Sequence, residues 1–575
     1  MKILIVNLAN GEPQERILED PLLGGRLLTG MLVSEMVPPK SDPLGPENIL
    51  VFAAGALSGR NVSTGGRLSV GGKSPLTGGI KESNAGGMGG DSIAALGYRA
   101  IVFTGMRPAG DLSIFILDEK GPRLADGKPY QNLWNSQLAE ALKRDFGEGY
   151  VFICNGYAGE HLYKGAGIAV SDAEDRPSRL AARGGMGAVM GSKGLKAVLI
   201  RKITGKTSIA TEKEARTKIV EFNKFVAANE RVTTLRKFGT ASTVMQVQTL
   251  GGLPVRNFSI GRMDNAEGIS AETMYDLIMA RDGVGTPTHA CMRGCVIQCS
   301  NIFPKEDGTL AVTPIEFETL GLCGSNLDIS SLDEVAHLNY LCNELGLDTI
   351  EVGAALGVMM EAAETGCAPE PYKSMNLPRF GDGKRAAEVL EEISTGGELG
   401  KLVANGVVHT GKALNVKRIP AVKGQAMSAY DPRVVKGTGV TYATSPMGAD
   451  HTAGLTVFLP INHMDASKAV GASRAMQIQR AAYDALGLCA FNTGAVGQRP
   501  DFAVNMMRSI YGVDLPDDWL NQLGLRTIKL EIQFNRAAGF TTEDDRLPEY
   551  FIKEQVAPNN TIFDVPLEEM DAMWN

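Results

Sequence analysis

Nowhere in the 575 residues does an apolar run reach the about eighteen positions that a membrane-spanning helix needs, so no span is expected. The first apolar stretch, Ile3–Val6, is too short for a secretory signal, and the expected location is the cytoplasm. No basic run and no stripe of interleaved basic and aromatic residues occurs, and the net charge is −8, which argues against a nucleic-acid partner. A Walker phosphate loop is absent, and the nearest approach to a dinucleotide fingerprint, Gly185-Met-Gly187-Ala-Val-Met190, fails at its last position. Cysteine is scarce, eight residues in all, and they lack the two separated pairs usual at structural zinc sites. With 44% hydrophobic and 21% charged residues, the composition is that of an ordinary soluble globular protein, long enough for about two to four domains.

Against that background, three of the eight cysteines fall within nine residues, in His289-Ala-Cys-Met-Arg-Gly-Cys-Val-Ile-Gln-Cys-Ser-Asn301. Thiolates at such spacing can turn toward one centre, and soft sulfur ligands suit zinc, copper(I) or an iron–sulfur cluster. Three clustered cysteines, Cys291, Cys295 and Cys299, with one distant partner form an iron–sulfur pattern, for which a cubane [4Fe–4S] cluster is the expectation. Zinc and plain buried thiols are the alternatives.

Glycine is abundant, 68 residues, and concentrated between Gly55 and Gly90 and again between Gly184 and Gly194. The first stretch includes Ser63-Thr-Gly-Gly-Arg67 and continues to Asn84 and Gly90; the second, from Arg176, includes Arg179, Arg183, Gly184 and Gly185 and ends in Lys193 and Lys196. Gly-rich backbone flanked by Arg and Lys suits a phosphate-bearing ligand, because exposed N–H groups and guanidinium forks both accept oxyanions. Tight turns alone are the other reading.

Short β-branched runs at Ile3–Val6, Ile49–Ala54, Ala100–Thr104, Leu112–Leu117, Tyr150–Cys154 and Ala197–Ile200 predict sheets with glycine-rich loops over residues 1–203, without regular βαβ alternation. Beyond Thr204 the texture becomes helical, starting with Ser208–Ala228 and Ala271–Ala280. Ser331-Leu-Asp-Glu334 is a capping-box signal for a helix closed by Gly346, and Asp348 opens another that runs to about Gly366. Helices are further expected at Lys384–Ile393, Leu399–Leu414, Ala466–Leu486 and, in a mixed tail, Leu530–Ala538. The segments Asn343-Glu-Leu-Gly-Leu-Asp348 and Asp484-Ala-Leu-Gly-Leu-Cys489 echo each other. Asp484 faces the negative end of its helix, an arrangement that costs roughly 0.3–1 kcal/mol and calls for compensation, such as an N–H-rich ligand. Asp348 has the simpler reading of an N-cap, and Cys489 is the obvious fourth cluster ligand.

These motifs converge on one family. Ala182-Arg-Gly-Gly-Met-Gly-Ala-Val-Met-Gly-Ser-Lys-Gly-Leu-Lys196, with Ser63–Arg67, Ser74-Pro-Leu-Thr77, Pro314-Ile-Glu-Phe-Glu318 and Ala429-Tyr-Asp-Pro-Arg433, resembles the tungsten- or molybdenum-containing aldehyde:ferredoxin oxidoreductases. The resemblance implies an α+β fold: a β-rich domain, 1–203, whose sheets carry the pterin cofactor, then two mainly α-helical domains, 204–417 and 418–575. It implies a W or Mo bis-pyranopterin without a protein ligand to the metal, in which Arg67 and Arg179 meet pterin phosphates. Mg2+ would bridge those phosphates, held by Asn84 and the carbonyl of Leu180, with the Arg183-Gly184-Gly185 loop nearby. Asp348, Asp484 and Leu488, with Asn343 where an Asp is usual, would lie against the pterins. Cys291, Cys295, Cys299 and Cys489 would hold the cluster, and Glu318 and His451 would face an aldehyde substrate. Glu316 is the competitor for the Glu318 position.

The sequence departs from the family pattern in its C-x3-C-x3-C spacing, where C-x2-C-x3-C is familiar, and in Asn343. His337 also stands where some relatives carry a Glu that binds a metal between subunits. The implied assembly is therefore an oligomer that includes ferredoxin or a small polyferredoxin-like subunit, with a flavin NAD(P)H-linked subunit as a further candidate. Two other functions compete: an aryl-CoA reductase subunit with the same cofactor, and a non-catalytic iron–sulfur electron-transfer protein. The first needs a protein ligand to the metal, and Cys323, Cys342 and Cys367 lie on or beside helix-like runs.

Overall fold

The computed structural model describes residues 1–202, 209 and 211–575. The first region is a sandwich of two six-stranded sheets. One contains β1 (Lys2–Asn7), β2 (Pro13–Ile17), β3 (Leu50–Ala54), β4 (Leu68–Lys73), β5 (Ile80–Ala85) and β6 (Tyr98–Thr104), in the order β2-β1-β6-β3-β4-β5. The other contains β7 (Ser113–Asp118), β8 (Gly121–Asp126), β9 (Tyr150–Cys154), β10 (Ile168–Val170), β11 (Arg179–Ala181) and β12 (Leu195–Arg201), in the order β11-β10-β9-β12-β7-β8. Each sheet has one parallel pair, β1 with β6 and β12 with β7; all other neighbours are antiparallel.

The two-residue period of a strand explains the layering. In β3, Leu50, Phe52 and Ala54 face the core between the sheets, while Val51 and Ala53 face the helix Gly25–Met36. In β12, Val198 and Ile200 enter the shared core, and Ala197 and Leu199 meet the helix Asn135–Phe146. Central strands are thus buried on both faces, which is why they appear in the sequence as short, continuous apolar runs.

Six strands lie within or across the expected runs, but the first glycine-rich stretch is not simply a loop: it contains the antiparallel hairpin β4–β5. The glycines hid this. A Cβ on Gly71 would lie 2.3 Å from Thr29 Cγ2, and one on Gly72 would lie 2.5 Å from the Ile49 carbonyl oxygen, so a neighbouring helix and strand approach β4 more closely than side chains would allow. The second stretch, also read as loop, carries a short helix, Met186–Ser192, before β12.

The rest of the chain is mainly helical, with a small sheet of β13 (Thr286–His289), β14 (Ser300–Pro304) and β15 (Leu310–Val312). Residue 204 and the Ser208 start of the first expected helix lie outside the described residues; the described helix is Lys213–Ala227. Ala271–Ala280, Leu332–Leu345, Thr349–Thr365, Gly383–Thr395 and Ala466–Leu486 form as expected. Leu399–Leu414 does not form one helix. It divides into Glu398–Ala404 and Val407–Ala413, because Gly406 turns to φ 91° and the Glu351 carboxylate accepts from Val407 N at 2.9 Å. The tail is also more helical than expected, with Pro500–Tyr511 and Trp519–Ala538. No helix among the described residues is long and apolar enough to cross a membrane.

The helices Ala466–Leu486 and Trp519–Ala538 pack on each other and on Gly25–Met36, joining the far end of the chain to the first sheet. The end of the first of these, closed by Gly487 at φ 78°, is gripped by the loop after β3: Ala56 N donates to the Ala485 carbonyl at 3.3 Å, Leu57 N to Leu486 at 3.1 Å and Arg67 N to Gly487 at 3.2 Å. A Cβ on Gly55 would lie 2.3 Å from Gly487 Cα. Gly55→Ala is therefore expected to destabilise the protein by about 1–3 kcal/mol through overpacking, measured as a lowered thermal midpoint; an unchanged midpoint would mean that this seam can open without loss.

Candidate active site

A cavity of about 720 Å³ lies where β5 and β11 meet the helical part of the chain. Its wall includes Arg67, Asn84, Arg179, Leu180, Arg183, Asn343, Asp348, Asp484, Cys291, Cys299, Cys489, Glu318 and His451, so the fold brings together side chains from the entire chain. Cys295, Gly184, Gly185 and Leu488 lie behind this wall.

The first glycine-rich stretch joins the two cysteine segments. Cys489 N donates to the Thr64 carbonyl at 3.0 Å, while Gly87 N donates to the Cys291 carbonyl at 3.0 Å and Val296 N to Ser63 Oγ at 3.0 Å. A Cβ on Gly86 would lie 3.3 Å from Cys291 Sγ. The extra residue of C-x3-C is accommodated in a turn: Cys295 N donates to Met292 O at 3.3 Å, and the exposed Gly294 has φ 74°. The Cys291 thiol is drawn down to about 6 by its hydrogen bond with Cys295, against burial and with help from Arg179 and Arg67. Cys295 is held up by that same bond and by burial, and Cys299 by burial, by Glu316 and by the nearby Cys291 and Cys489. No disulfide forms among the described residues.

Next to the thiols is a basic wall. Arg67 donates through Nε to Asn84 Oδ1 and through Nη2 to the Asn84 carbonyl at 3.1 Å. Enclosure alone would lower its guanidinium, but Cys489, Cys291, Asp484 and Glu82 hold it above the ordinary value. Arg179 Nη2 reaches His289 Nδ1 at 3.2 Å, and its Nε is buried without a partner. Leu180 is paired to Ala169 in β11, which packs beside β5 and Asn84. Arg183 is occupied by protein: it donates to Asp348 Oδ2 at 3.2 Å, Ser428 Oγ at 3.2 Å, the Ala449 carbonyl at 2.7 Å and the Ala426 carbonyl at 2.5 Å. Gly184 and Gly185, both at positive φ, serve close packing, since a Cβ would lie 2.5 Å from Lys81 Cγ and 2.6 Å from the Lys164 carbonyl oxygen respectively.

Asp348 does cap its helix, accepting from Ile350 N at 3.0 Å, while its other oxygen meets Arg183. Asp484 receives part of its compensation from within the protein, since buried Arg26 reaches it at 3.4 Å while binding Glu531 through two bonds of 2.8 and 2.7 Å. Burial still leaves Asp484 above its ordinary value, and burial together with Asp484 raises the neighbouring Glu82 to about 8. Asn343 Nδ2 bonds the Thr313 carbonyl at 3.4 Å.

Glu316 and Glu318 point to different ends of the cavity. Glu316 accepts from Thr240 Oγ1 at 2.6 Å and contributes to the field at Cys299. Glu318 Oε2 accepts from Ala429 N at 2.8 Å, and its Oε1 lies 3.5 Å from His451 Nε2. Gly321 makes this reach possible: a Cβ there would lie 2.2 Å from that of Ala429. His451 follows Asp450, which caps its short 3-10 turn and pairs with Lys81 Nζ at 2.5 Å. Burial would raise Asp450, yet Lys81 and Arg183 hold it well below the usual carboxylate range.

The residues fit an anionic, sulfur-ligated group. Soft donors converge at one end, and buried Arg179 Nε, Arg480 Nε and Glu318 Oε1 on the wall have no partner among the described residues. Sequence reasoning missed Glu82, Arg480, Tyr430, Asp450 and Ser428. Arg480 could have been found, because it precedes Asp484 by one helical turn; Ser428 could not, since only the fold brings it to His451.

The chain is similar to known proteins over most of its length. The model described as "Aldehyde ferredoxin oxidoreductase, N-terminal domain" matches residues 3–202, and that for "domains 2 & 3" matches 218–574. A tungsten-containing aldehyde ferredoxin oxidoreductase of Thermococcus kodakarensis is 32% identical over 96% of this chain and 91% of its own length. One from Pyrococcus furiosus is 31% identical over 99% and 94%. Among solved structures, the active-site complex BamBC of benzoyl coenzyme A reductase with 1,5-dienoyl-CoA contains a chain with the same fold, at TM-score 0.80 and 19% identity, covering 100% of this chain and 92% of that one.

Lys81 and Asp450 are both nearly inaccessible, so removing one leaves the other charge uncompensated. Lys81→Met is expected to lower stability by about 3–5 kcal/mol, while adding Asp450→Asn restores most of the loss, both measured by thermal unfolding. The contribution of Asp450 is present above its ordinary value near 3.8 and is lost as pH falls. Equal stability of the single and double variants would disprove the coupling.

Proposed function

The chain belongs to the aldehyde ferredoxin oxidoreductase family and is an oxidoreductase, and from that premise we propose that it oxidises aldehydes to carboxylic acids at a tungsten, or molybdenum, bis-pyranopterin centre. Electrons would pass through one [4Fe–4S] cluster to ferredoxin or a ferredoxin-like subunit. The observation that carries this reading is the order of chemistry along one cavity: converging thiols, then a basic wall, then a carboxylate facing an imidazole. The proposed domains are 1–203, 204–417 and 418–575.

When bound, the metal–pterin centre supplies the two-electron chemistry, and the cluster supplies one-electron steps. The chain would hold these groups as follows. Cys291, Cys295, Cys299 and Cys489 ligate the cluster, and Arg67 and Arg179 bind pterin phosphates. Asn84 and the Leu180 carbonyl hold Mg2+, while Asp348, Asn343, Asp484 and Leu488 lie along the pterins. Adding the oxygen of water to an aldehyde releases two protons and two electrons, so a proton-accepting pair beside the substrate is needed. One of these protons would pass between His451 Nε2 and Glu318 Oε1, which face each other at 3.5 Å, and Glu318 is anchored for this by Ala429 N.

The aryl-CoA reductase alternative has the BamBC-like fold in its favour. It lacks a thiol for the metal, since Cys323, Cys342 and Cys367 are not on the cavity wall. His337, exposed on its helix, stands where some relatives carry a metal-binding Glu, and that replacement favours a partner other than a second copy joined by a metal at that site. Ferredoxin, a small ferredoxin-like subunit and a flavin NAD(P)H-linked subunit are the proposed electron partners, in the cytoplasm.

Elemental analysis of anaerobically purified protein, with dye reduction over a panel of aldehydes, tests this function. The expected result is about one W or Mo and four Fe per chain, with aldehyde-dependent reduction. Metal with CoA-thioester reduction and no aldehyde oxidation would favour the alternative, and iron alone would reject catalysis. Cys489→Ser is expected to lose the four-iron cluster; retention of four Fe with an unchanged cluster spectrum would remove Cys489 as a ligand.

A further inference from the structure

We propose that Ser428 is a positioning residue that selects the tautomer of His451, leaving the ring proton on Nε2 toward Glu318. The inference deepens the proposed aldehyde oxidation and rests on it for its role in turnover, but not for the tautomer itself.

The assignment follows from counting protons. A guanidinium has only donors. Arg183 Nη1, which also bonds the Ala449 carbonyl, must therefore donate in its 3.2 Å contact with Ser428 Oγ. That leaves Ser428 one proton to give, and His451 Nδ1 lies 2.9 Å away. If Nδ1 accepts it, the neutral ring carries its proton on Nε2. Nε2 faces Glu318 Oε1 at 3.5 Å, an oxygen with no hydrogen-bond partner among the described residues, whereas Oε2 is occupied by Ala429 N. The Glu318 end thus favours this tautomer, and the Ser428 proton, given to Nδ1, reinforces it. The opposite one would set a nitrogen lone pair against a carboxylate oxygen and leave the Ser428 proton without this acceptor.

The other groups around the ring do not reverse this choice. Asp450 Oδ1 is 3.9 Å from Nδ1, beyond hydrogen-bond distance, and it already accepts from Thr452 N and Oγ1 at 2.9 and 2.7 Å. Tyr430 presents its ring to the imidazole, with centroids 6.4 Å apart, while its buried hydroxyl approaches the Glu318 carboxylate and is a second donor toward it. The buried Tyr442 hydroxyl lies close to Ser428 and is the competing acceptor for its proton, so the choice of His451 as acceptor rests on the Glu318 oxygen opposite Nε2. Arg183 is fixed at its other nitrogens by Asp348 and the Ala426 carbonyl, so its donation to Ser428 is set by the fold. Arg183 therefore acts through Ser428 on the histidine, a role distinct from contact with a phosphate.

Nitrogen-15 NMR of histidine-labelled, oxidised holoenzyme tests the tautomer. The chain has six histidines, and the resonance lost in His451→Gln identifies the one in question. The expected spectrum has a protonated Nε2 and a hydrogen-bonded, unprotonated Nδ1. Ser428→Ala should mix the tautomers and lower kcat about tenfold with little change in KM, while Ser428→Thr, which keeps the hydroxyl, retains both. A ring protonated at Nδ1, or at both nitrogens, in the parent protein would overturn the proposal, as would unchanged tautomer populations in Ser428→Ala. Should that variant not fold, the parent spectrum and Ser428→Thr still decide. The expected tautomer in a protein that oxidises no aldehyde would uphold the assignment and reject the proposed function.

Discussion

The structure depends on one seam, where the carboxyl end of the helix Ala466–Leu486 is pressed onto the loop after β3. Three backbone donors of that loop take up the carbonyls of Ala485, Leu486 and Gly487, groups that every helix end leaves unsatisfied. The approach is so close that Gly25, Gly55 and Gly487 tolerate no side chain: a Cβ on Gly25 would lie 1.9 Å from the Asp484 carbonyl oxygen. Because Cys489 follows directly, the same contact brings the last thiol to Arg67 and Cys291. The dense glycine of the first stretch is therefore a joint between distant parts of the chain, as well as a candidate ligand surface.

The charges of the cavity follow from this joint. Asp484 lies at an unfavourable helix end, and buried Arg26, itself held by Glu531, offsets it. Burial still leaves Asp484 above its ordinary value, so Arg26 offsets the carboxylate only in part. Elsewhere the balance is incomplete, and the Nε atoms of Arg179 and Arg480, without partners among the described residues, lie on the wall of the same cavity. Buried donors without partners are costly in a finished structure, and their concentration on one wall is physical support for an anionic occupant.

Much of this was legible in the sequence because it depends on local rules. The caps at Ser331 and Asp348, the left-handed glycines 346 and 487, and the period-two strands that fill the sandwich core all follow from neighbours a few residues apart. Cys291, Cys299 and Cys489 and the echo at Asp348 and Asp484 fall on the wall of one cavity. Glycine misleads where it serves packing between elements: it gives β4 the look of a loop and conceals the break at Gly406.

The sequence by itself determined which groups are available, clustered thiols with a distant fourth, basic loops, carboxylates and an imidazole, and most of the helices and strands that carry them. Only the tertiary structure decided which of these groups confront one another. Glu318 and not Glu316 faces His451, Arg183 is committed to Asp348 and Ser428, and Arg26 answers Asp484. Residues hundreds of positions apart meet by helix and sheet packing, and their hydrogen bonds depend on distances of a few tenths of an ångström that no local pattern encodes.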